Sequence, residues 1–333
     1  MNTTSSIGFR TNGQAVAKLL KRAQAVMTLE RFGQVDPQGM NKSTTRRFRR
    51  LEALPAAIMP IAEGVAPAGQ SLIVTDISVT LEQFADVVPF TDVIQDTIED
   101  NTLDDMTKLV AQQAAETKEI VRFSALKAGT NVFYGGIGTT RATVNGTITR
   151  ALLRKVYRSL KKNRAQSISE IISATAKIAT EPVAAAYFVV SHTDMDADIQ
   201  DITGFKRIEK YSDPTKALAG EAGSAENFRF VESDLFSPWL VAGTSGSTYL
   251  TNGGTGTGNA DVYPMLAFGK DAYGIVPLQG KNAVKIYVVN PTANAADPVA
   301  QKGTVGWKMY DGCVILNDNW MARIEVGATQ TPA

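Results

Sequence analysis

Leu72-Ile73-Val74-Thr75-Asp76-Ile77-Ser78-Val79-Thr80-Leu81-Glu82-Gln83 alternates almost without a break. Ile73, Thr75, Ile77, Val79 and Leu81 fall on one side, and Val74, Asp76, Ser78, Thr80 and Glu82 on the other. A strand with one buried face needs this pattern, because successive side chains point to opposite faces. At about 3.3 Å per residue the stretch is roughly 40 Å long, well beyond the usual five or six residues of a strand. Pro55, Pro60, Gly64, Pro67 and Gly69 punctuate the residues before it. Together they read as an extended hairpin over residues 54–92 that leaves the body and exposes edges a neighbour must cover.

Upstream, residues 1–53 read as an arm, with a modest helical stretch over 16–29 and breakers at Gly33, Pro37 and Gly39. Its end is wholly cationic, carried by Lys42, Arg46, Arg47, Arg49 and Arg50 around Phe48. Such a cluster is either a solvated loop or a segment that orders against a partner. Downstream, residues 93–165 are helical in grammar. A long helix over about 102–128, capped by Asn101-Thr102 and ended by Gly129, buries Met106, Val110, Ala114, Thr117 and Val121. Asp104, Asp105, Lys108, Glu116, Lys118 and Glu119 are expected on its exposed side, where acids near the start suit the helix dipole better than a metal site. Thr149 opens a second helix with Leu152, Leu153, Val156, Tyr157 and Leu160 inward and Arg150, Arg154, Lys155, Arg158, Lys161, Lys162 and Arg164 elsewhere. That face suits either phosphates or acidic neighbours.

From residue 166 the pattern is mixed, giving an α+β class. Residues 169–179 read as helical or irregular; strands are expected at 184–190 and 228–231, and a Gly/Ser/Thr-rich surface loop at 237–259. Short strands follow near 267–268, 274–276, 284–289, 303–307, 313–316 and 321–326.

The 333 residues are 44% hydrophobic and 20% charged with a formal charge of +1, so the chain has a core and no global pull toward nucleic acid or membrane. One Cys (Cys313) and one His (His192) exclude a Cys/His zinc cluster and a disulfide framework. The longest apolar run, 183–190, is too short to span a bilayer, and residues 1–20 lack a secretory pattern, so a soluble protein made in the cytoplasm is expected. Asp194, Asp196 and Asp198 imitate a calcium loop, but Ile199 stands where Gly is required and Phe205 where Glu is required. Gly269-Lys270-Asp271 lacks the hydroxyl of a phosphate loop, and Gly135-Gly136-Ile137-Gly138 matches a dinucleotide turn only in glycine content. An enzyme would have to run through His192 as a general base oriented by Asp194 or Asp196; no constellation supports it, and no cofactor is expected.

The order of arm, hairpin, long helix and mixed domain resembles the major capsid protein of tailed bacteriophages with the Hong Kong 97-like fold. Sequence blocks narrow the resemblance. Ala62-Glu63-Gly64-Val65-Ala66-Pro67, Val79-Thr80-Leu81-Glu82-Gln83-Phe84, Phe90-Thr91-Asp92-Val93, Gly129-Thr130-Asn131-Val132-Phe133-Tyr134 and Asp261-Val262-Tyr263-Pro264 occur in order. Phe268-Gly269-Lys270-Asp271-Ala272-Tyr273-Gly274, Gly303-Thr304-Val305-Gly306-Trp307 and Val314-Ile315-Leu316-Asn317-Asp318 follow. They are similar to the coat proteins of N4-like podophages.

The resemblance implies an icosahedral head shell of hexamers and pentamers around double-stranded DNA, located in the virion. It divides the chain into arm (1–53), extended loop (54–92), peripheral domain with its spine helix (93–165), axial domain (166–280) and closing strands (281–333). Partners would be further copies of the chain, portal and scaffolding proteins, a decoration protein, and DNA held without sequence preference; no membrane is implied. Glu63, Gly64, Pro67, Ile73, Ile77, Val79 and Phe84 are expected at the intersubunit contact, with Arg46, Arg47, Arg49 and Arg50 facing a neighbour or DNA. No covalent crosslink is expected. The nearest rival is a nanocompartment shell of the same fold; the distant one is a hydrolase using His192.

Overall fold

The computed structural model describes residues 28–331 apart from 40, 61–62, 65, 67–68, 98–101, 173–179, 212–216, 247, 255–257, 279–283 and 294–296. The chain begins with β1 (Gln34–Val35), β2 (Thr45–Leu51), β3 (Val74–Thr80) and β4 (Glu82–Thr91), then α1 (Asp92–Thr97) and α2 (Thr102–Leu126). Next come β5 (Val132–Tyr134), α3 (Arg150–Lys162), β6 (Ile168–Ile172), β7 (Thr180–Ser191), α4 (Asp196–Gln200), β8 (Lys206–Arg207), β9 (Glu221–Ala225) and β10 (Phe228–Glu232). The last strands are β11 (Tyr263–Phe268), β12 (Tyr273–Ile275), β13 (Val284–Val289), β14 (Lys302–Asp311), β15 (Cys313–Ile315) and β16 (Met321–Val326).

The alternating stretch is two strands rather than one. β3 pairs antiparallel with β2, Phe48 opposite Ile77 and Thr45 opposite Thr80. β4 pairs along its whole length with β14, from Thr91 opposite Lys302 to Glu82 opposite Asp311. The switch falls at Leu81, whose N–H donates to the Thr44 carbonyl at 2.8 Å and whose side chain is buried with Phe48, Val79, Val276 and Leu316. The hairpin is therefore built from the cationic segment and β3, and the Gly/Pro-punctuated residues connect them instead of forming a strand. Its root is seated tightly: a Cβ on Gly274 would lie 2.8 Å from Phe48 Cζ, so only glycine lets β12 approach this ring.

β4, β14 and β13 make a three-stranded sheet in the order β13-β14-β4. The first half of α2 lies on it, with Val110 and Ala114 against Phe90, Val305, Trp307 and Met309, and Trp307 Nε1 donating to Gln113 Oε1 at 3.0 Å. At 25 residues α2 is about 38 Å long, as its uninterrupted helical spacing anticipates. Its second half buries a different arc, Glu119, Arg122, Phe123 and Leu126, while Thr117 and Val121 stay half-buried. Because every i+4 step advances the stripe by roughly 40°, a helix of this length meets a second body with a new face.

That second body is an eight-stranded sheet, ordered β5-β16-β11-β7-β10-β9-β8 with β6 also on β7. β6 stands where residues 169–172 were expected to be helical or irregular; the rest of that piece, 173–179, lies outside the described residues. β7 and β11 are central and nearly continuous in apolar residues, as strands covered on both faces must be. α3 covers one face through Leu152, Leu153, Val156 and Leu160, and Thr149 Oγ1 caps it by accepting from Leu152 N–H at 3.3 Å. Phe32, Phe123, Phe236 and the small sheet β1-β12-β15 cover the other.

Candidate intersubunit surface

Pairing with β3 gives the cationic segment an ordered backbone, and its arginines find carboxylates of the same chain. Arg46 holds Asp36 through two bonds of 2.6 and 2.8 Å, Arg49 holds Asp76 at 2.9 and 3.2 Å, and Arg50 holds Glu52 at 2.8 Å while donating to the Leu316 carbonyl at 3.0 Å. The hydrogen bond from Arg49 keeps the Asp76 carboxyl below its usual range, and the charges of Arg49 and Arg47 act in the same direction. Three of the four arginines are thus neutralised, and only Arg47 makes no ion pair among the described residues. Exposed pairs of this kind add little stability; they lower the net charge the cluster presents.

The expected contact residues separate into two groups. Glu63 and Gly64 are exposed, Gly64 at φ +81° in open space, and Ile73 is 64% exposed. Val79 is buried inside its own chain; Ile77 and Phe84 are half-buried, Phe84 against the core beneath α2. Pro67 lies outside the described residues. One cluster of apolar exposure was not anticipated: Ile58 is 86% and Met59 85% exposed, with Leu51, Leu54, Leu72 and Val74 also exposed around the connecting loop. Apolar residues among Pro55 and Pro60, in a segment with no periodicity, were the available signal. A second bare surface lies on the three-stranded sheet, where edge strand β13 is exposed at all six residues and Val87 of β4, at the opposite edge, is also exposed. Long apolar edges left open are pairing and aggregation hazards unless a partner covers them.

Polar groups under α2 fix the start of the described chain. Glu119, expected at an exposed position, is buried, and its Oε1 accepts from Thr28 N–H at 2.7 Å, Leu29 N–H at 2.9 Å and Thr28 Oγ1 at 3.1 Å. One turn on, Arg122 makes a bidentate pair with Asp311 at 2.7 and 2.8 Å, both side chains nearly inaccessible. Cys313 beside them has its thiol pushed up to about 12 by burial, the opposite of a reactive thiolate.

The residues once eligible for chemistry have structural work. His192 Nδ1 accepts the Asp194 N–H at 3.1 Å as a cap at the end of β7, which occupies the lone pair a general base would use. Asp194 accepts from Tyr263, Asp196 from Gln200 and Asp198 from Thr329, so the three carboxylates diverge and form no calcium loop. Among the described residues no group of three or more His, Cys, Asp or Glu side chains is placed to hold a metal. No helix there is long and apolar enough to cross a membrane.

The architecture matches solved phage heads across nearly their full length. The capsid of Ralstonia phage GP4 superposes with a TM-score of 0.67 at 12% identity, covering 97% of each chain. The head structure of Helicobacter pylori bacteriophage KHP40 gives 0.65 at 10% identity, covering 98% of this chain and 97% of that one. The cyanophage Pam1 capsid gives 0.63 at 12% identity, covering 97% and 99%. No curated protein matches the sequence. Residues 74–324 match the family described as phage capsid protein. A match over that span, with an α+β fold shared with phage heads, leads to one conclusion: the chain belongs to the phage capsid protein family and is a structural, non-enzymatic component of the virion, a major capsid protein of the head shell.

Proposed function

We infer that the shell has the Hong Kong 97-like architecture and that the chain is of the N4-like podophage coat-protein type, assembling as hexamers and pentamers around double-stranded DNA. In this reading residues 93–165 with α2 as spine form the peripheral domain together with β4, β13 and β14. Residues 166–280 form most of the axial domain, and the extended loop runs from β2 through β3. The observation that carries the reading is the apolar, uncovered connection of that loop, with Ile58 and Met59 almost fully exposed. In an isolated subunit such a loop is a liability; laid over the next copy it becomes a clasp repeated around a closed shell. Arg47, Glu63, Gly64 and Ile73 belong to the clasp, and the glycine at positive φ lets the loop bend differently toward neighbours that are not strictly equivalent. Scaffolding, portal and decoration proteins complete the assembly.

Size-exclusion chromatography with negative-stain electron microscopy tests this on the full chain, alone and co-expressed with its neighbouring phage genes. Closed shells or rings are expected, and their loss is expected on deleting residues 1–50, which removes most of β2. A uniformly monomeric full chain even with those genes refutes the reading.

A further inference from the structure

Charge is distributed unevenly along the sequence. Residues 120–169 contain 10 Lys and Arg and no Asp or Glu, which leaves 24 Lys and Arg against 33 Asp and Glu in the rest of a chain with formal charge +1. Most of that excess sits on one helix. Arg150, Arg154, Lys155, Arg158, Lys161 and Lys162 of α3, with Arg164 just after it, are all exposed. At 100° per residue the six helical cations span an arc of roughly 140° centred opposite the buried stripe of Leu152, Leu153, Val156 and Leu160.

Little of this charge is answered within the chain. Glu226 accepts from Arg150 at 2.5 Å and Arg154 at 3.1 Å, and no other carboxylate pairs with the helix among the described residues. Lys155 lies over the Phe133 ring at 5.7 Å, and Lys161 lies over Tyr157 and Tyr187 at 5.7 and 5.8 Å. Those contacts hold the side chains without neutralising them. Arg158, Lys162 and Arg164 make no ion pair among the described residues, in contrast to Arg46, Arg49 and Arg50 of β2.

We propose that the outer face of α3 is a duplex-DNA contact surface that binds phosphates without reading sequence. From Arg150 to Lys162 the helix is about 18 Å long, and a duplex presents one negative charge per roughly 1.7 Å of its axis, so every cation on the face has a phosphate within reach. Phosphate contacts carry no base information, as a container for a whole genome requires. The biological partner, packaged DNA, rests on the head-shell reading; the surface itself can be assayed separately.

Fluorescence anisotropy of a short random-sequence duplex with the full chain provides the test. With six phosphates neutralised, the slope of log affinity against log salt is about −5, a loss on the order of 10³ between about 50 and 200 mM salt. Replacing Arg154, Lys155, Arg158 and Lys162 together by Gln, which keeps helix propensity, leaves a slope of about −2 and a loss of about tenfold. The Arg154→Lys, Arg158→Lys variant keeps the steep slope and controls for folding. Absence of DNA binding by the unmodified chain, or an unchanged slope in the Gln variant, overturns the proposal. If the Gln variant loses shell assembly while its DNA binding is unchanged, the face meets an acidic surface of a second copy instead. Shells that form normally without a DNA effect refute this assignment and leave the head-shell reading standing.

Discussion

Replacing Ile58 and Met59 together by Ser separates assembly from folding. At 86% and 85% exposed, the two side chains contribute almost nothing to the subunit itself, and surface changes of this kind alter folding stability by less than about 0.5 kcal/mol. Buried on a neighbour, each is worth about 1.5–3 kcal/mol. Taking the lower figure for both, every loop contact weakens by about 3 kcal/mol, more than a hundredfold in its equilibrium constant. The expected phenotype is a soluble subunit with an unchanged melting temperature that forms shells only at far higher concentration. Light scattering across a dilution series reads that threshold, and calorimetry of the dispersed subunit reads folding. An unchanged threshold with normal folding refutes the claim that this loop is a clasp; a large fall in melting temperature shows instead that the loop is covered by its own chain.

Two further expectations concern buried charge. Arg122→Ala strands Asp311 without a partner at 2% exposure, a cost of about 3–5 kcal/mol. For a chain of 333 residues, that lowers the melting temperature by about 4–7 °C in thermal melts, whereas Arg122→Met combined with Asp311→Leu recovers most of the loss. Glu232 has its carboxyl pushed up to about 8, by burial first and the charge of Asp196 second, and its Oε1 is buried without a hydrogen-bond partner. Since the folded state holds this proton above the ordinary value of 4.5, stability is greatest below about pH 4.5 and falls as pH rises toward 8. Glu232→Gln should flatten that dependence and stabilise the subunit at pH 8 by about 2 kcal/mol, after allowing for solvent screening of a partly exposed group. Parallel, undiminished pH profiles of wild type and variant would show that Glu232 is ionised in the folded protein.

Much of this fold is legible from period and caps. The apolar run of β7, the apolar-rich strands β10 and β13, the Thr149 cap of α3 and the alternation of β3 fall where their patterns place them. β2 was illegible because Arg46 and Arg50 share a face with Phe48 while Arg47 and Arg49 occupy the other, so charge masks the period of two. β9, Glu221–Ala225, carries small and polar side chains with no hydrophobic alternation, and is specified by β10 beside it. Strand partners are the deeper limit. Nothing local at Leu81 states that β3 pairs backward with residues 45–51 and β4 forward with residues 302–311. Long-range partners also misled the reading of Glu119, whose place on a polar stretch of α2 suits solvent until Thr28 and Leu29 arrive over it. At the surface, residue 73 of the expected contact was legible from alternation running past the core, whereas Ile58 and Met59 sit in a loop whose exposure only the fold reveals.

The most direct test places a photo-crosslinking amino acid at position 58 and irradiates assembled shells. The clasp predicts adducts between two copies of the 35.7 kDa chain, mapped to the α2 side or the β13 sheet of the second copy, and their absence in dispersed subunits. Adducts confined to one chain, or no adducts in intact shells, would contradict it.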